Sequence, residues 1–278
     1  MVLRKLKSRL SGALNYELSL RVGHRVVKVP VINNVGRAHL DRHEPHLSVV
    51  LGRLYRPGTL LIDVGANIGQ TLVKYVGVAE APCRYLGFEP NAKAASYVEA
   101  LIIRNGLREA MIVPVGLGSN TRLTQLFLHS AGSTDPAASM HELIRDAEFY
   151  GSQKTIPVFK GDDALAQLGI VSGPTILKID VEGAELEVLR GLEKSIEQLR
   201  PLIILEILPP SYFSASVNEH RRRQAAELIR HMADHGYAVH AIGTDGELAA
   251  GVSPTGDYLF VPNEKSDLVL VAQDLASR

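Results

Sequence analysis

This 278-residue sequence has a formal net charge of zero and a single cysteine. Lysine plus arginine and aspartate plus glutamate number 30 each, so no overall field draws the chain toward nucleic acid or an anionic membrane, and we expect no nucleic-acid partner. The single cysteine, Cys83, can form neither an internal disulfide nor a cysteine-rich zinc site. A reducing cytoplasm is therefore the expected compartment.

Long apolar runs are also missing. The sequence has no stretch of about eighteen apolar residues and no apolar signal-peptide core, which predicts no stable membrane insertion. Its first ten residues, MVLRKLKSRL, mix basic with apolar side chains, as do membrane-surface helices and amphipathic helices packed on their own domain. The run is short and has no aromatic anchor, which favours the packed helix.

Apolar residues make up 46% of the chain, enough for a sizeable core. Valine-, isoleucine- and leucine-rich runs alternate with segments of helical period, which is typical of an α/β fold with a parallel sheet covered on both faces. Strands are predicted at residues 60–64, 84–88, 111–115, 175–181, 202–208, 237–242 and 257–261, and helices at 92–104, 186–196 and 218–235.

The pattern divides the chain into three parts. Residues 1–55 are predicted to be an extension of helix and short strands, 56–265 a single α/β domain, and 266–278 a tail. Within the domain, residues 117–174 form a long excursion, in which HSAGSTDPAASM is too rich in small and turn residues to belong to a core.

A glycine-containing turn, LLIDVGANIGQT, leaves the first of the predicted strands of the α/β domain and enters a helix. Gly65 and Gly69 permit positive φ and let a ligand approach the backbone. Asn67 stands where a dinucleotide-binding G-x-G-x-x-G turn has its second glycine, which weakens a nicotinamide interpretation. Asp63 adds a negative charge, which repels a diphosphate and attracts an ammonium or sulfonium group.

A second motif, GFEPN, places Glu89 twenty residues beyond Gly69 at the end of the next strand. A carboxylate there can accept both hydroxyl hydrogens of a ribose, although an acid at a strand end can also cap the following helix. Together with Asp63, it favours an adenosine-type cationic ligand.

The third motif is LKIDVEGAELEVLRG. Lys178, Asp180 and Glu182 have the same parity, so they project to one side if the strand continues through Val181. One interpretation is that Lys178 neutralises a neighbouring carboxylate and that the acids begin a helix. Buried charge is costly unless it is paired or used, so we favour a functional site.

With these three blocks the sequence resembles the FkbM family of S-adenosylmethionine-dependent methyltransferases, over about residues 44–262. DDALAQLG, PLIILEI and DYLFVP support the resemblance. It implies a class I, Rossmann-like fold with a seven-stranded, mostly parallel sheet whose last strand is antiparallel. It also implies methyl transfer to an oxygen, most often a hydroxyl of a sugar or a secondary metabolite. Gly161 replaces the first leucine of the family's LDDLL, and the segment near 132–133 is only loosely similar.

The resemblance also implies positions around the cofactor. The residues around its methionine half would be Asp63, Gly65, Ala66, Asn67 and Gly69. Glu89 would bind the ribose and Asn91 would lie close to the adenosine, and Pro90 between them is also predicted to belong to the cofactor site. Asp180 and Glu182 would border the reactive methyl group.

An alcohol is a weak nucleophile at neutral pH, so a general base is needed. We predict Asp180 in that role, with Glu182 and Lys178 setting its charge and orientation. The alternatives are two histidines of the excursion and an acid on the fifth strand, His129, His141 and Glu206.

Two other functions stay open, an NAD(P)-dependent oxidoreductase and a cofactor-binding module without chemistry. Asp162 and Asp163 with Asp180 can offer ligands to magnesium, but an acidic pair at a helix N-terminus is the favoured interpretation and no metal is predicted. The HRRR run at 220–223 is expected on an exposed helix face.

Overall fold

The computed structural model describes residues 15–41, 44–129, 134, 138–140, 150–207, 215–251 and 256–267. Within these ranges the chain forms thirteen strands. They are β1 (Tyr16–Val22), β2 (Arg25–Val31), β3 (Leu60–Val64), β4 (Arg84–Phe88), β5 (Ala110–Val113), β6 (Gly116–Gly118), β7 (Arg122–Leu128), β8 (Ser152–Lys160), β9 (Thr175–Ile179), β10 (Leu202–Glu206), β11 (Tyr237–Ile242), β12 (Leu248–Ala250) and β13 (Asp257–Pro262).

Seven α-helices connect the strands in the described ranges. They are α1 (Pro45–Leu54), α2 (Gln70–Val78), α3 (Ala92–Arg104), α4 (Gly161–Gln167), α5 (Glu185–Gly191), α6 (Glu193–Leu199) and α7 (Ala215–Asp234), with short 3-10 turns at Arg37–Leu40 and Asn263–Lys265. Among them, none combines the length and the apolar composition that crossing a bilayer requires.

The main sheet is mixed and has the strand order β5-β4-β3-β9-β10-β13-β11-β12. Neighbours from β5 to β10 run parallel, whereas β13 is antiparallel to both β10 and β11. The sheet has eight strands rather than the predicted seven, because the three-residue β12 adds an edge beside β11. Strand order reverses at β3, so a crevice opens at the carboxyl ends of β3 and β9.

Two hydrophobic cores lie on opposite faces of this sheet. Leu61 belongs to the core beneath α1, α2, α3 and the β1–β2 hairpin, whereas its neighbour Ile62 belongs to the core beneath α4 to α7. Because alternate residues of a strand face opposite sides, a strand covered on both faces must be apolar throughout. Asp63, which faces the same side as Leu61, is the exception: it is acidic although every residue of β3 is buried.

Several predicted elements coincide with the structure, and others differ at their ends. The strand predicted to reach Val181 ends at Ile179, since the chain turns out of the sheet through Glu182 and Gly183, which have φ of 50° and 101°. The assumption of strand parity through Glu182 was therefore wrong. The helix predicted over 186–196 is two helices, α5 and α6, which meet at Leu192.

The extension and the excursion flank the crevice from two sides. The β1–β2 hairpin packs against α2 and α3, and α1 follows it. In the excursion, β6, β7 and β8 form a separate three-stranded sheet, and α4 follows β8. The predicted helix in the first ten residues, most of HSAGSTDPAASM and all but the first two residues of the 266–278 tail lie outside the described residues. The boundaries at 55 and 265 stay predictions.

Candidate active site

A cavity of about 380 Å³ opens where β3, β4, β9 and β10 end, a size within the usual range for small-molecule sites. Its floor comes from the carboxyl ends of these strands and the turns that follow them. It includes Val64, Gly65, Ala66, Asn67, Phe88, Glu89, Pro90, Lys178, Asp180, Val181, Glu182 and Glu206. The walls include Ala38 and Glu44 from the extension and Leu117, Leu126 and Met140 from the excursion.

The glycine turn after β3 adopts the left-handed backbone that its residues predict. Gly65, Asn67 and Gly69 have φ of 87°, 46° and 83°. A Cβ on Gly65 would lie 1.8 Å from the Asp180 carbonyl oxygen, so glycine is required there by the approach of the chain after β9. A Cβ on Gly69 would meet Leu101 of α3 at 3.1 Å, and Gly69 does not line the cavity.

Asp63 is completely buried below the turn. Its Oδ2 accepts a hydrogen bond from the Tyr85 hydroxyl at 2.8 Å, while its Oδ1 has no hydrogen-bond partner within the described part of the chain. Burial raises the pKa of this carboxyl, and the nearby Lys178 charge offsets only part of the effect. Asp63 does not itself line the cavity, so any influence on a ligand acts through its charge.

Glu89 is buried at the end of β4 and lines the cavity. Its Oε2 accepts from the backbone N–H of Asn67 and its Oε1 from that of Asn91, both at 2.8 Å. Burial raises the pKa of Glu89 to about 7, although the two hydrogen bonds act in the opposite direction. Each carboxylate oxygen can accept a further hydrogen bond, so Glu89 shapes the turn and keeps acceptor capacity for a ligand.

Asn91, which the resemblance placed near the adenosine, has a role in the start of α3. Its side-chain oxygen accepts from the backbone N–H of Lys93 at 3.3 Å as the N-cap, and from Lys154 Nζ at 3.4 Å. Asn91 is buried and does not line the cavity.

Lys178 brings a buried positive charge to the cavity. Its Nζ lies 2.8 Å from Asp180 Oδ2. Burial acts to lower the pKa of Lys178, but the charges of Asp180, Asp63 and Glu44 outweigh it and raise the pKa. Lys178 therefore neutralises a neighbouring carboxylate, as one sequence interpretation held, and the pair also faces the cavity.

Asp180 shares a second close contact, a hydrogen bond between its carboxyl group and that of Glu206. Burial, followed by the charge of Asp180, raises the pKa of Glu206 well above its usual range. The pKa of Asp180 is lowered, because the charge and hydrogen bond of Lys178 outweigh its burial. With a proton on Glu206 and an ionised Asp180, the Asp180 carboxylate can accept hydrogen bonds from both Lys178 and Glu206.

Two further acids complete the site. Glu182 lines the cavity, and its backbone carbonyl accepts from Ser139 Oγ at 2.7 Å. Glu44, which sequence reasoning missed, lies just before α1 and forms an ion pair with Lys74 at 2.8 Å. No motif marks Glu44 in the sequence, since only the packing of the extension brings it to the cavity.

The alternative residues fall elsewhere. His129 is exposed at the end of β7 and does not line the cavity, and His141 lies outside the described residues. Asp162 caps α6 through Ser195, whose N–H and hydroxyl donate to its Oδ1 at 2.9 and 2.8 Å. In the HRRR run, Arg221 is buried, so the prediction of an exposed face was wrong for that residue.

Comparison with known proteins gives the family directly. The model of the methyltransferase FkbM domain matches residues 63–239, which is more than half of the chain, and the chain belongs to this family. It is also 27% identical over 148 residues to the hexuronic acid methyltransferase AglP of Haloferax volcanii. That match covers 53% of this chain and 55% of AglP, so the chain spans about half the length of this curated relative.

Solved methyltransferase structures resemble the chain at lower identity. The methyltransferase FkbM from Methylobacillus flagellatus KT has 17% identity and a TM-score of 0.43, covering 93% of this chain and 59% of that one. The O-methyltransferase from Bacillus cereus in complex with SAH has 13% identity and a TM-score of 0.40, covering 78% of each chain.

Proposed function

We propose that the protein is a class I, S-adenosylmethionine-dependent methyltransferase that methylates a hydroxyl group of a sugar, a glycan or a related metabolite. The observation that carries the proposal is the single cavity at which the glycine turn, Glu89 and Asp180 meet. Membership of the FkbM methyltransferase family supports the reaction class.

The charge of the cavity fits this cofactor. Five of the described lining residues are carboxylic acids, namely Glu44, Glu89, Asp180, Glu182 and Glu206, whereas Lys178 is the one lysine or arginine among them. With a proton on Glu206, the four other acids still outnumber this lysine. An acidic cavity attracts the sulfonium and ammonium groups of S-adenosylmethionine and repels the pyrophosphate of a nicotinamide dinucleotide. The same charge balance argues against the oxidoreductase alternative.

The chain offers a defined set of groups for holding the cofactor. The Gly65–Asn67 turn would border the methionine half, and the remaining lone pairs of Glu89 would accept from the ribose hydroxyls. The buried charge of Asp63 would favour the cationic groups from below. When bound, the cofactor supplies an electrophilic methyl group.

The proton of the acceptor hydroxyl would pass to the Asp180 carboxylate, which is ionised because Lys178 lowers its pKa. Lys178 and Glu206 act through Asp180 as positioning residues, the first by the 2.8 Å ion pair and the second by a hydrogen bond from its protonated carboxyl. Glu182 adds negative charge at the same edge of the cavity.

One observation supports a sugar-type acceptor, and a second bears on its charge. AglP, with which the chain shares 27% identity, is named a hexuronic acid methyltransferase. The acidic lining disfavours a second anion, so we propose an uncharged hydroxyl-bearing acceptor in preference to a uronate.

The test is incubation of the protein with methyl-labelled S-adenosylmethionine and separate acceptors, followed by mass spectrometry of the products. The acceptors are neutral oligosaccharides, hexuronate oligosaccharides, a metabolite extract and RNA. We expect an O-methyl ether on an uncharged acceptor. Label on RNA alone, or only on carboxylates as esters, would contradict the proposal.

Calorimetric titration with S-adenosylhomocysteine and with NAD separates the cofactor alternatives. We expect binding of S-adenosylhomocysteine and none of NAD, and the reverse result would overturn the cofactor assignment. Binding without turnover across the whole acceptor panel would instead support a module that performs no chemistry.

A further inference from the structure

Two histidines and a glutamate meet on the helical side of the domain, away from the candidate active site. They are His231 in the last turn of α7, His235 just beyond it, and Glu193, the first residue of α6. One ligand atom from each lies within 4.8 Å of the other two. In the described ranges this is the one group of three or more such side chains that has this spacing, and none of its members lines the cavity.

The backbone fixes the His235 ring in the form that a metal needs. His235 Nδ1 lies 2.8 Å from the carbonyl oxygen of His231. A carbonyl oxygen only accepts, so Nδ1 carries the hydrogen, and in the neutral ring the lone pair is left on Nε2. Metal-ligating histidines are commonly oriented in this way, by a hydrogen bond from the second ring nitrogen to a backbone carbonyl.

The His231 ring supplies a second, independent observation. Its Nε2 atom is buried, yet it has no hydrogen-bond partner within the described part of the chain. Buried polar atoms are normally satisfied, so an orphaned ring nitrogen beside another histidine points to a partner outside the described part of the chain, such as a bound ion. The two ring centroids are 4.5 Å apart, as the i, i+4 spacing on one helix face allows.

The surroundings favour a cation at this point. The last turn of the twenty-residue α7 presents the negative end of the helix dipole. Glu193 adds a carboxylate, and it is exposed and therefore free to rotate toward the rings. Two arginines lie nearby, and both are paired with acids: Arg190 with Glu227, and Arg200 with Glu264. Arg200 Nη1 also donates to the backbone carbonyl of His235 at 2.8 Å.

We propose that His231, His235 and Glu193 form a binding site for a divalent transition-metal ion of the zinc class. Imidazole nitrogens and a carboxylate are ligands that zinc accepts at about 2.0–2.2 Å. Tetrahedral zinc holds its ligand atoms about 3.3–3.6 Å apart. The three ligand atoms here lie within 4.8 Å of one another, so side-chain rotations, above all of the exposed Glu193, would close the set around the ion. Three protein ligands leave a position for water, and the ion links the start of α6 to the end of α7.

Cobalt(II) and zinc(II) salts are the probes. Titration of the full chain with Co²⁺ is expected to produce the visible absorption of tetrahedral cobalt at one ion per chain, and Zn²⁺ is expected to displace it. At zinc concentrations near 100 times Kd, the Tm should rise by about 5 °C or more and should fall again after chelation.

His235→Gln and Glu193→Gln test the assignment, because both side chains lie at the surface end of the cluster and the variants are expected to fold. Each should weaken zinc binding by at least about tenfold, because replacing even a residue that only hydrogen-bonds to a metal ligand typically lowers metal affinity by about 10–100-fold. His24→Gln, on the exposed β1–β2 turn, is the matched control and should bind as the wild type does. Absence of zinc binding by the wild type, or unchanged affinity in both cluster variants, would overturn the proposal.

Discussion

Glu89 holds the glycine turn through Asn67, whose backbone N–H donates to Glu89 Oε2 at 2.8 Å. The same carboxylate accepts from the N–H of Asn91 through its other oxygen. Glu89 thus both lines the cavity and determines the shape of the glycine turn beside it. A structural and a ligand-binding role are compatible at this position, because each carboxylate oxygen has two lone pairs.

Cofactor affinity should depend on the charge of Glu89. In Glu89→Gln the amide keeps one acceptor and loses the charge-assisted hydrogen bonds, so S-adenosylhomocysteine should bind at least about tenfold more weakly. Calorimetric titration measures the change, and Glu80→Gln, at an exposed position, is the control. Equal affinity in the wild type and Glu89→Gln would remove Glu89 from the binding site.

The pH dependence of stability should carry the signature of the same group. The pKa of Glu89 is about 7 in the folded protein against 4.5 for the free side chain. Between these values the folded state binds the proton and the unfolded state does not, so stability is lost as the pH rises from 4.5 to 7. Relative to Glu89→Gln, the wild type should lose up to about 3 kcal/mol across this window.

Urea denaturation of both proteins at several pH values measures this difference. The comparison cancels the contributions of other buried acids, which both proteins share. A wild type that gains stability relative to Glu89→Gln between pH 4.5 and 7 would show that the sign is wrong.

Catalysis should fail without the Asp180 carboxylate. Asp180→Asn retains the shape of the side chain but cannot take the hydroxyl proton, so kcat should fall by about 10²–10⁴. Binding of S-adenosylhomocysteine should change much less. Steady-state rates with the identified acceptor provide the measurement, and Asp163→Asn, exposed on α4, is the control. A near wild-type kcat in Asp180→Asn would show that another group is the general base.

Lys178 should be a determinant of stability as well as of the site. Lys178→Met leaves the fully buried Asp63 and the partly buried Asp180 without their cation, which should destabilise the fold by about 3–5 kcal/mol at neutral pH. Urea denaturation measures the loss, and Lys93→Met, exposed on α3, should change stability by less than about 0.5 kcal/mol. Comparable stabilities for the two variants would contradict the assigned charge network.

Gly65 and Gly58 form a matched pair for the turn, with φ of 87° and 80°. An added Cβ meets nothing within 4 Å at Gly58, but at Gly65 it would meet the Asp180 carbonyl oxygen at 1.8 Å. Gly58→Ala should cost about 1–2 kcal/mol for the backbone alone, and Gly65→Ala about 3–5 kcal/mol or the loss of folding. Thermal and urea unfolding measure both, and equal losses would refute the close approach.

Sequence patterns predicted the main elements well where a clear apolar periodicity is bounded by a glycine or proline that marks the end of the element. The strands at Leu60–Val64, Arg84–Phe88 and Tyr237–Ile242 and the helix at Ala92–Arg104 have the predicted limits. Prediction failed where tertiary contacts decide the end of an element, as after Ile179, and it missed the short edge strand Leu248–Ala250. Three residues carry too little periodicity to indicate a strand by themselves.

The sequence alone determined the alternation of strands and helices, the glycine turn and the family, because each of these is written in local spacing and residue type. The tertiary structure decided which charges meet. Glu44 and Glu206 join Lys178 and Asp180 from distant parts of the chain, and Gly65 is required by the carbonyl of Asp180. Such long-range contacts arise only when the strands align side by side, since the charge and burial of one residue are set by neighbours far away in sequence.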